Sequence, residues 1–167
     1  MFESISAAIS RMEIEHTGTK RILAALTDDA LAVSVEDGHR TLGRMAWHIV
    51  TCYPEMMGKV GCPFQSVNET DPIPASAVDI LTAYERVTDE LIRHVREHWT
   101  DETLRMEDNL YGENWKRGNT LLILLLHEAH HRGQMTVLMR QAGLTVPGIY
   151  GPALEEWQKH GMQAPEI

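Results

Sequence analysis

A short run of histidines in the most apolar part of the chain offers side chains that can bind a metal ion. The run spans 127–131 and reads His-Glu-Ala-His-His. Residues four apart on an α-helix project from one face about one turn apart, so His127 and His131 can direct their imidazoles at one ion. The same face carries Thr120, Leu124, Gln134 and Leu138. The spacing predicts either a metal-binding pair that faces the core or two ordinary histidines of an amphipathic helix.

The same run also matches the His-Glu-x-x-His pattern of zinc metalloproteases, in which the glutamate is the general base. Glu128 occupies the glutamate position. No third ligand of the metzincin type follows downstream, however, and no strand edge that would hold a peptide is predicted. A metalloprotease is therefore the minor alternative, and Glu128 is a weak candidate for a general base.

A pair of histidines needs a further ligand from another element of the fold. His48 lies in a second helical stretch, on the same side as Met45, Cys52 and Glu55. Periodicity alone favours a hydrogen-bonded core histidine at this position. As a ligand, His48 would complete a three-histidine set that leaves one coordination position for water or substrate.

Four other side chains near the predicted site each have two interpretations. His16 is either a fourth ligand or, as we favour, part of a pocket wall. Cys52 is either a ligand or a small buried thiol, the commoner case. His130 flanks the metal-facing side of its helix, as a hydrogen-bonding partner of a ligand or as a helix contact. Arg132 either anchors an anionic substrate or pairs with the acidic surface.

The composition limits the classes of partner. The 167 residues include 24 acidic and 15 basic side chains, for a net charge of −9. That charge disfavours nucleic acid and anionic membrane surfaces, so a small molecule is the expected partner. Two cysteines and no signal-like N-terminus predict a cytoplasmic protein. The strongest apolar run, 121–126, is too short to cross a bilayer, which needs about 20 residues.

The elements that would position these residues are helices. Four stretches have helical spacing, and no stretch alternates like the strands of a hairpin. They run from Ile5 to about Asp28, from Thr41 to Gly58 with a kink at Pro54, from Ser76 to about His98, and from Asn119 to Ala142. Ser4 and Ser76 are candidate N-caps, and Gly143 is a candidate left-handed C-cap. The sequence predicts an all-α four-helix bundle with an irregular C-terminal segment, in a single domain over residues 1–167.

Two strings of residues resemble the DinB/YfiT family of metalloenzymes. One is Thr-Leu-Gly-Arg-Met-Ala-Trp-His-Ile, which ends just after His48, and the other is His-Glu-Ala-His-His-Arg-Gly-Gln-Met, which begins at His127. The resemblance extends over essentially the whole chain. It implies a four-helix bundle, commonly a homodimer, that holds nickel or zinc through three histidines. The matching positions here are His48, His127 and His131.

The resemblance also implies a class of reaction. Some proteins of this kind are thiol S-transferases that use bacillithiol or a similar low-molecular-weight thiol, and others are mycothiol-dependent isomerases. The alternatives are a hydrolase that uses metal-bound water and a non-catalytic, stress-associated metal-binding protein. The first helix departs from the family pattern, because 15–19 reads Glu-His-Thr-Gly-Thr in place of aromatic residues and asparagines. No substrate is therefore carried over from the resemblance.

Overall fold

The computed structural model describes residues 1–166, and four long helices make up most of it. They are α1 (Ile5–Ala24), α2 (Leu42–Cys52), α3 (Ala77–His98) and α4 (Arg117–Gln141). Short 3-10 helices lie at Asp28–Ala32, Thr103–Arg105 and Leu154–His160. Both α1 and α2 pack against α3 and α4, so the core lies between the two pairs of helices. The predicted four-helix bundle is confirmed, while its treatment as a single domain over 1–167 stays a prediction.

The helix ends agree with the predicted capping residues. The Ser4 and Ser76 hydroxyls accept hydrogen bonds from the backbone N–H groups of Ala7 and Asp79. Gly143 follows the last residues of α4 with a φ of +73°, which a glycine adopts without steric cost. None of the helices in residues 1–166 combines the length and apolar character needed to cross a membrane.

The disturbance predicted at Pro54 takes the form of a wider helical turn. Helix α2 continues directly into a π-helical turn at Tyr53–Met57. Because Pro54 has no N–H group, the Val50 carbonyl lacks its usual donor and accepts a hydrogen bond from the Tyr53 N–H instead. The turn leaves Tyr53 fully buried in the core, one turn beyond His48.

A small β-hairpin lies between α3 and α4, where the sequence predicts a loop from Trp99 to Gly118 with a turn at Tyr111-Gly112. Strand β1 (Glu107–Leu110) pairs antiparallel with β2 (Glu113–Lys116). The two connecting residues, Tyr111 and Gly112, have φ angles of +56° and +88°. Positive φ at both positions is typical of the type I′ turn, whose twist matches that of the flanking strands. The prediction missed this hairpin because its strands are four residues long and Leu110 is their one buried residue, so they carry no apolar alternation.

Two glycines of α4 provide a matched test of packing at the N-terminus. A Cβ at Gly118 would lie 2.2 Å from the Phe2 carbonyl oxygen, whereas a Cβ at Gly133 meets nothing within 4 Å. We expect Gly118→Ala to displace the N-terminal segment and to lower the free energy of unfolding by about 1–3 kcal/mol. Gly133→Ala should raise it by about 0.5–1 kcal/mol through helix propensity. Urea denaturation measures the free energy of unfolding of the two variants. Equal changes in Gly118→Ala and Gly133→Ala would contradict the close approach of Phe2 to α4.

Candidate metal centre

Three histidines from two helices meet on the inner side of the bundle. One ligand nitrogen from each of His48, His127 and His131 lies within 4.8 Å of the other two. The Nε2 atoms of His48 and His127 are 3.1 Å apart. His48 comes from α2 and the other two from α4, and these helices pack against each other. The cluster predicted from the sequence therefore exists, and its geometry can hold one metal ion.

The helical face that carries the pair on α4 runs along the core as predicted. Thr120, Leu124 and Leu138 on this face are buried, as is His131. His127 is half-buried, and Gln134 is the exposed member of the face. The apolar neighbours on each side fix the helix against the core, and they thereby fix the direction of the two imidazoles.

The three imidazoles are neutral at ordinary pH. Burial, followed by electrostatic interactions with His131 and Arg40, lowers the pKa of His48 to about 4. Burial also lowers the pKa of His127 and of His131, and neighbouring histidines and Arg40 lower both further, while the hydrogen bond with Gln134 opposes this at His131. A neutral imidazole keeps a lone pair on one nitrogen, which is the form that binds a metal.

A hydrogen bond sets the orientation of one of these rings. The Nδ1 atom of His131 lies 2.7 Å from the Gln134 side-chain oxygen, so Nδ1–H donates and Nε2 is left with its lone pair. A partner of this kind is common behind histidine ligands and makes the ring a better ligand. Helical periodicity places Gln134 on this face but assigns it no role; its spacing of three residues from His131 is the signal for this hydrogen bond.

Cys52 lies against the cluster without being one of the three clustered side chains. Its Sγ atom is 3.6 Å from Nδ1 and 3.5 Å from Nε2 of His48. Burial and the negative charge of Glu55 raise the pKa of this thiol to about 12. Cys52 is therefore protonated at neutral pH, as the interpretation of a small buried thiol requires.

His130 lies at the surface of the protein, whereas His16 lies in the core. His130 is exposed, with its ring centroid 5.1 Å from that of His131. His16 is only 3% exposed, and its ring packs against the rings of Tyr53 and Tyr84 in the core. It is not one of the three clustered histidines and does not line the cavity described below. The expectation that His16 forms part of a pocket wall stays a prediction.

Glu128, the glutamate of the His-Glu-x-x-His pattern, is a buried hydrogen-bond acceptor. It is 2% exposed, and both of its oxygens are engaged. Oε1 accepts from the hydroxyls of Thr19 and, at 2.7 Å, of Tyr84, while Oε2 accepts from the Tyr53 hydroxyl. Burial raises the pKa of Glu128, against the opposing effect of these hydrogen bonds. The carboxylate links α4 to α1, to α3 and to the π-helical turn after α2. Its engaged oxygens are not free to activate water, which argues against a metalloprotease.

A buried ion pair continues this polar network towards the C-terminal segment. Arg132 is 3% exposed, and its Nη2 lies 2.7 Å from Glu15 Oε2. Its Nη1 donates to the Thr19 hydroxyl at 2.8 Å, and the Tyr150 hydroxyl donates to Glu15. Arg132 therefore pairs with a carboxylate in the interior, so pairing at the surface is wrong. Its role as a substrate anchor stays a prediction, and Arg132 lines a cavity between α4 and the C-terminal segment. A Cβ at Gly18 would lie 3.3 Å from Nη1.

The unusual sequence of the first helix therefore has a structural role. Glu15, Gly18 and Thr19 all contact or accommodate Arg132, and Thr19 also donates to Glu128. Sequence reasoning missed this role because the two partners of the ion pair are 117 residues apart. No helical period connects residues at that separation.

The buried position of His16 leads to a prediction about acid stability. Burial, followed by the charge of Lys20, lowers the pKa of His16 to about 3, whereas a histidine in an unfolded chain titrates near 6.5. The unfolded chain thus binds a proton that the folded chain does not, and the free energy of unfolding falls as the pH drops from about 6.5 towards 3. We expect His16 to account for a loss of about 2 kcal/mol between pH 6.5 and 4.5.

Denaturation of the wild type and of His16→Leu at pH 7 and at pH 4.5 measures this contribution. Neither ring nitrogen of His16 has a hydrogen-bond partner among the described residues. His16→Leu is therefore expected to be at least as stable as the wild type at pH 7 and to lose less stability in acid. His98→Leu, an exposed position on α3, is the control. An equal acid-induced loss in the wild type and in His16→Leu would contradict this account.

A cavity opens directly beside the histidine cluster. It has a volume of about 480 Å³ and is lined by His131 together with Val35, Arg40, Met45, Val137 and Leu138. This volume is within the range of small-molecule sites. A molecule in the cavity would therefore reach His131 at the edge of the cluster.

The chain is similar to known proteins along most of its length. Residues 1–166 match the DinB family. The uncharacterised protein YrdA of Bacillus subtilis (strain 168) is 41% identical over 167 residues, which is 100% of each chain. The crystal structure of a DinB-like protein from Bacillus cereus ATCC 10987 has a TM-score of 0.86 and 39% identity, over 90% of this chain and 100% of that one. The DinB-like protein YjoA of Bacillus subtilis shares the fold, with a TM-score of 0.67 and 20% identity over 88% and 99% of the two chains.

Proposed function

The chain belongs to the DinB family, and from this premise and the histidine cluster we propose that it binds a divalent metal ion and acts as a metal-dependent enzyme. The observation that carries the proposal is the set of three ligand nitrogens, from His48, His127 and His131, within 4.8 Å of one another. The cavity beside His131 supports a site that a small molecule can reach. Three imidazoles suit zinc, nickel, copper and iron, and the family resemblance favours nickel and zinc, which are the ions we propose.

The side chains around the cluster have defined tasks in this proposal. The three histidines hold the ion as neutral ligands, and Gln134 keeps the His131 ring in the orientation that directs Nε2 at it. Met45 and Leu138 are buried and form apolar walls of the cavity beside His131. A divalent ion held in this way lowers the pKa of a thiol or of water that reaches it.

We propose a thiol S-transferase that uses a low-molecular-weight thiol of the bacillithiol type. In such a transfer the thiol sulfur forms a bond to an electrophilic carbon. The leaving group departs with its bonding electron pair, and the thiol proton passes to solvent. Cys52 is buried and is not one of the three clustered side chains, so in this proposal the nucleophile is the small-molecule thiol and not a thiol of the chain.

A conjugation assay tests this proposal. Protein loaded with zinc or nickel is mixed with bacillithiol or glutathione and with monochlorobimane, and the fluorescent product is followed. Turnover that requires both metal and thiol is expected, and it should be lost in His131→Ala. Hydrolysis of p-nitrophenyl acetate that needs metal but no thiol would favour the hydrolase instead. The absence of turnover with either substrate would contradict the transferase.

A non-catalytic metal-binding protein is the second candidate. The observation that favours it is the position of Cys52, whose Sγ atom lies 3.5 Å from His48 Nε2 and would close the site if it became a fourth ligand. Replacing Cys52 by serine separates the two functions. Unchanged metal affinity favours the open, catalytic site, while weakened affinity favours the closed one.

We also propose that the protein acts in the cytoplasm, as a homodimer, on a small-molecule substrate. The net charge of −9 supports a partner that is neither nucleic acid nor an anionic membrane surface. Light scattering of the purified chain measures its mass in solution. The mass of a monomer would contradict the proposed homodimer.

A further inference from the structure

The cavity beside the histidine cluster has a mostly apolar lining with a single charged group. Met45 and Leu138 form its buried part, and Val35 and Val137 form its more exposed part. Of the residues that line it in the described chain, Arg40 alone carries a permanent charge. His39, His131 and Gln134 are the other polar residues of the lining. Pockets with a mainly apolar surface hold a ligand by apolar contact and orient it by a few polar groups.

The backbone around Arg40 is fixed by the start of α2. The Leu42 N–H donates to the Val33 carbonyl at 2.7 Å, which closes the loop that carries Arg40. Gly43 lets α2 approach this loop closely, since a Cβ there would lie 3.1 Å from the Leu31 carbonyl oxygen. Thr41, next to Arg40, caps the helix by accepting from the Arg44 N–H. The loop is therefore held by three separate contacts.

The Arg40 guanidinium is available to an incoming group. Among residues 1–166, no carboxylate lies within 4.0 Å of it, whereas Arg117, Arg132 and Arg140 each pair with one. The acidic residues closest to Arg40 along the sequence are Glu36 and Asp37, in the same loop. Glu36 lies 3.5 Å from His39, and neither acidic residue lines the cavity.

Arg40 and His131 line the same cavity, and His131 is a member of the histidine cluster. A ligand with one end at Arg40 would therefore extend towards the cluster across the apolar lining. In a chain with a net charge of −9, an unpaired guanidinium beside an apolar cavity is complementary to an organic anion.

We propose that this cavity binds a substrate with one carboxylate, which pairs with Arg40, and a compact apolar body, which packs on Met45, Val137 and Leu138. The proposal rests on the proposed function in one respect, which is that the far end of the substrate reacts at the histidine cluster. The guanidinium supplies two parallel N–H donors that fit a carboxylate.

Calorimetric titration with three probes tests the proposal on the whole chain. The probes are octanoate, its neutral analogue octanamide, and the shorter anion butyrate, each titrated into metal-free and zinc-loaded protein. We expect octanoate to bind about tenfold more tightly than octanamide, because a hydrogen bond to a charged group is stronger than one to a neutral group. Octanoate should also bind at least about tenfold more tightly than butyrate, through the additional buried methylene groups.

Two arginine variants assign the contact. Arg40→Gln is expected to remove the preference for octanoate over octanamide. Arg86→Gln, at an exposed position on α3 outside the cavity lining, is expected to keep it. Arg40 is exposed and makes no side-chain hydrogen bond within the described residues, so the variant should fold, which circular dichroism checks.

Each contrary result overturns a defined part of the proposal. Equal binding of octanoate and octanamide to the wild type would overturn the role of Arg40. Octanoate binding that needs zinc and is unchanged in Arg40→Gln would place the carboxylate on the ion. Equal binding of butyrate and octanoate would overturn the apolar contact. An Arg40-dependent preference in a protein that binds no zinc would leave this inference standing while the proposed metal function fails.

Discussion

Replacing Glu128 by alanine is expected to lower the free energy of unfolding by about 3–5 kcal/mol, the largest effect on stability that we expect from a single substitution. The change removes the acceptor for three hydroxyls, those of Thr19, Tyr53 and Tyr84. It also leaves Arg132, whose Nη1 lies 3.9 Å from Glu128 Oε1, with less compensation for its buried charge. An unpaired buried donor costs about 1–3 kcal/mol, so these losses together account for the expected effect.

Urea denaturation of two further variants separates the network from other causes. Glu128→Gln keeps one acceptor oxygen and is expected to lose less, about 1–3 kcal/mol. Glu97→Ala removes an exposed glutamate of α3 and should change stability by less than about 0.5 kcal/mol. A loss in Glu128→Ala no larger than in Glu97→Ala would contradict the role of the network.

Replacing His131 by alanine is expected to weaken binding of zinc or nickel by about 100-fold or more. A structural zinc site has an apparent binding free energy of about 10–16 kcal/mol, so one of four ligands contributes about 3 kcal/mol, which corresponds to a factor of about 100. His131 also carries the hydrogen bond to Gln134, which is lost with the ring. Competition with a chromophoric chelator measures the affinity.

His130 provides the matched control for this experiment. It is the adjacent histidine on the same helix, but it is exposed and lies outside the clustered set. His130→Ala is expected to keep the affinity within about threefold, because it removes no ligand. Equal losses in His130→Ala and His131→Ala would show that the site is not built as we describe it.

The helices and the histidine pair on α4 could be predicted from local patterns in the sequence. The pair on α4 follows from a spacing of four residues, and the helix ends follow from Ser4, Ser76 and Gly143. The addition of His48 needed more than periodicity, which favours a core residue at that position. The family resemblance supplied that step, and the structure brings the three rings together.

The polar network behind the cluster could not be predicted from local patterns. Glu128 accepts from residues 109, 75 and 44 positions away, which come from α1, the π-helical turn and α3. Such pairings depend on how the helices dock, and helical periodicity gives only which residues face inwards. For the same reason Glu128 and Arg132 were interpreted as a candidate base and a candidate surface or substrate-binding residue.

The hairpin was missed for a different physical reason. A strand is detected by alternation of apolar and polar residues, and β1 and β2 are too short and too exposed to show it. Their pairing depends on the left-handed conformations of Tyr111 and Gly112 and on the hydrogen bonds of Arg117 with Asp108. These contacts join the hairpin to the start of α4, which therefore begins two residues before its predicted start at Asn119.

The central claim is that His48, His127 and His131 together hold one divalent ion. Elemental mass spectrometry of tag-free protein purified without chelator tests it most directly, on the wild type, His48→Ala and His127→Ala. We predict about one equivalent of nickel or zinc in the wild type and its loss in both variants, since each variant removes a ligand from a different helix. A wild type that binds no metal even after reconstitution, or variants that keep a full equivalent, would contradict the claim.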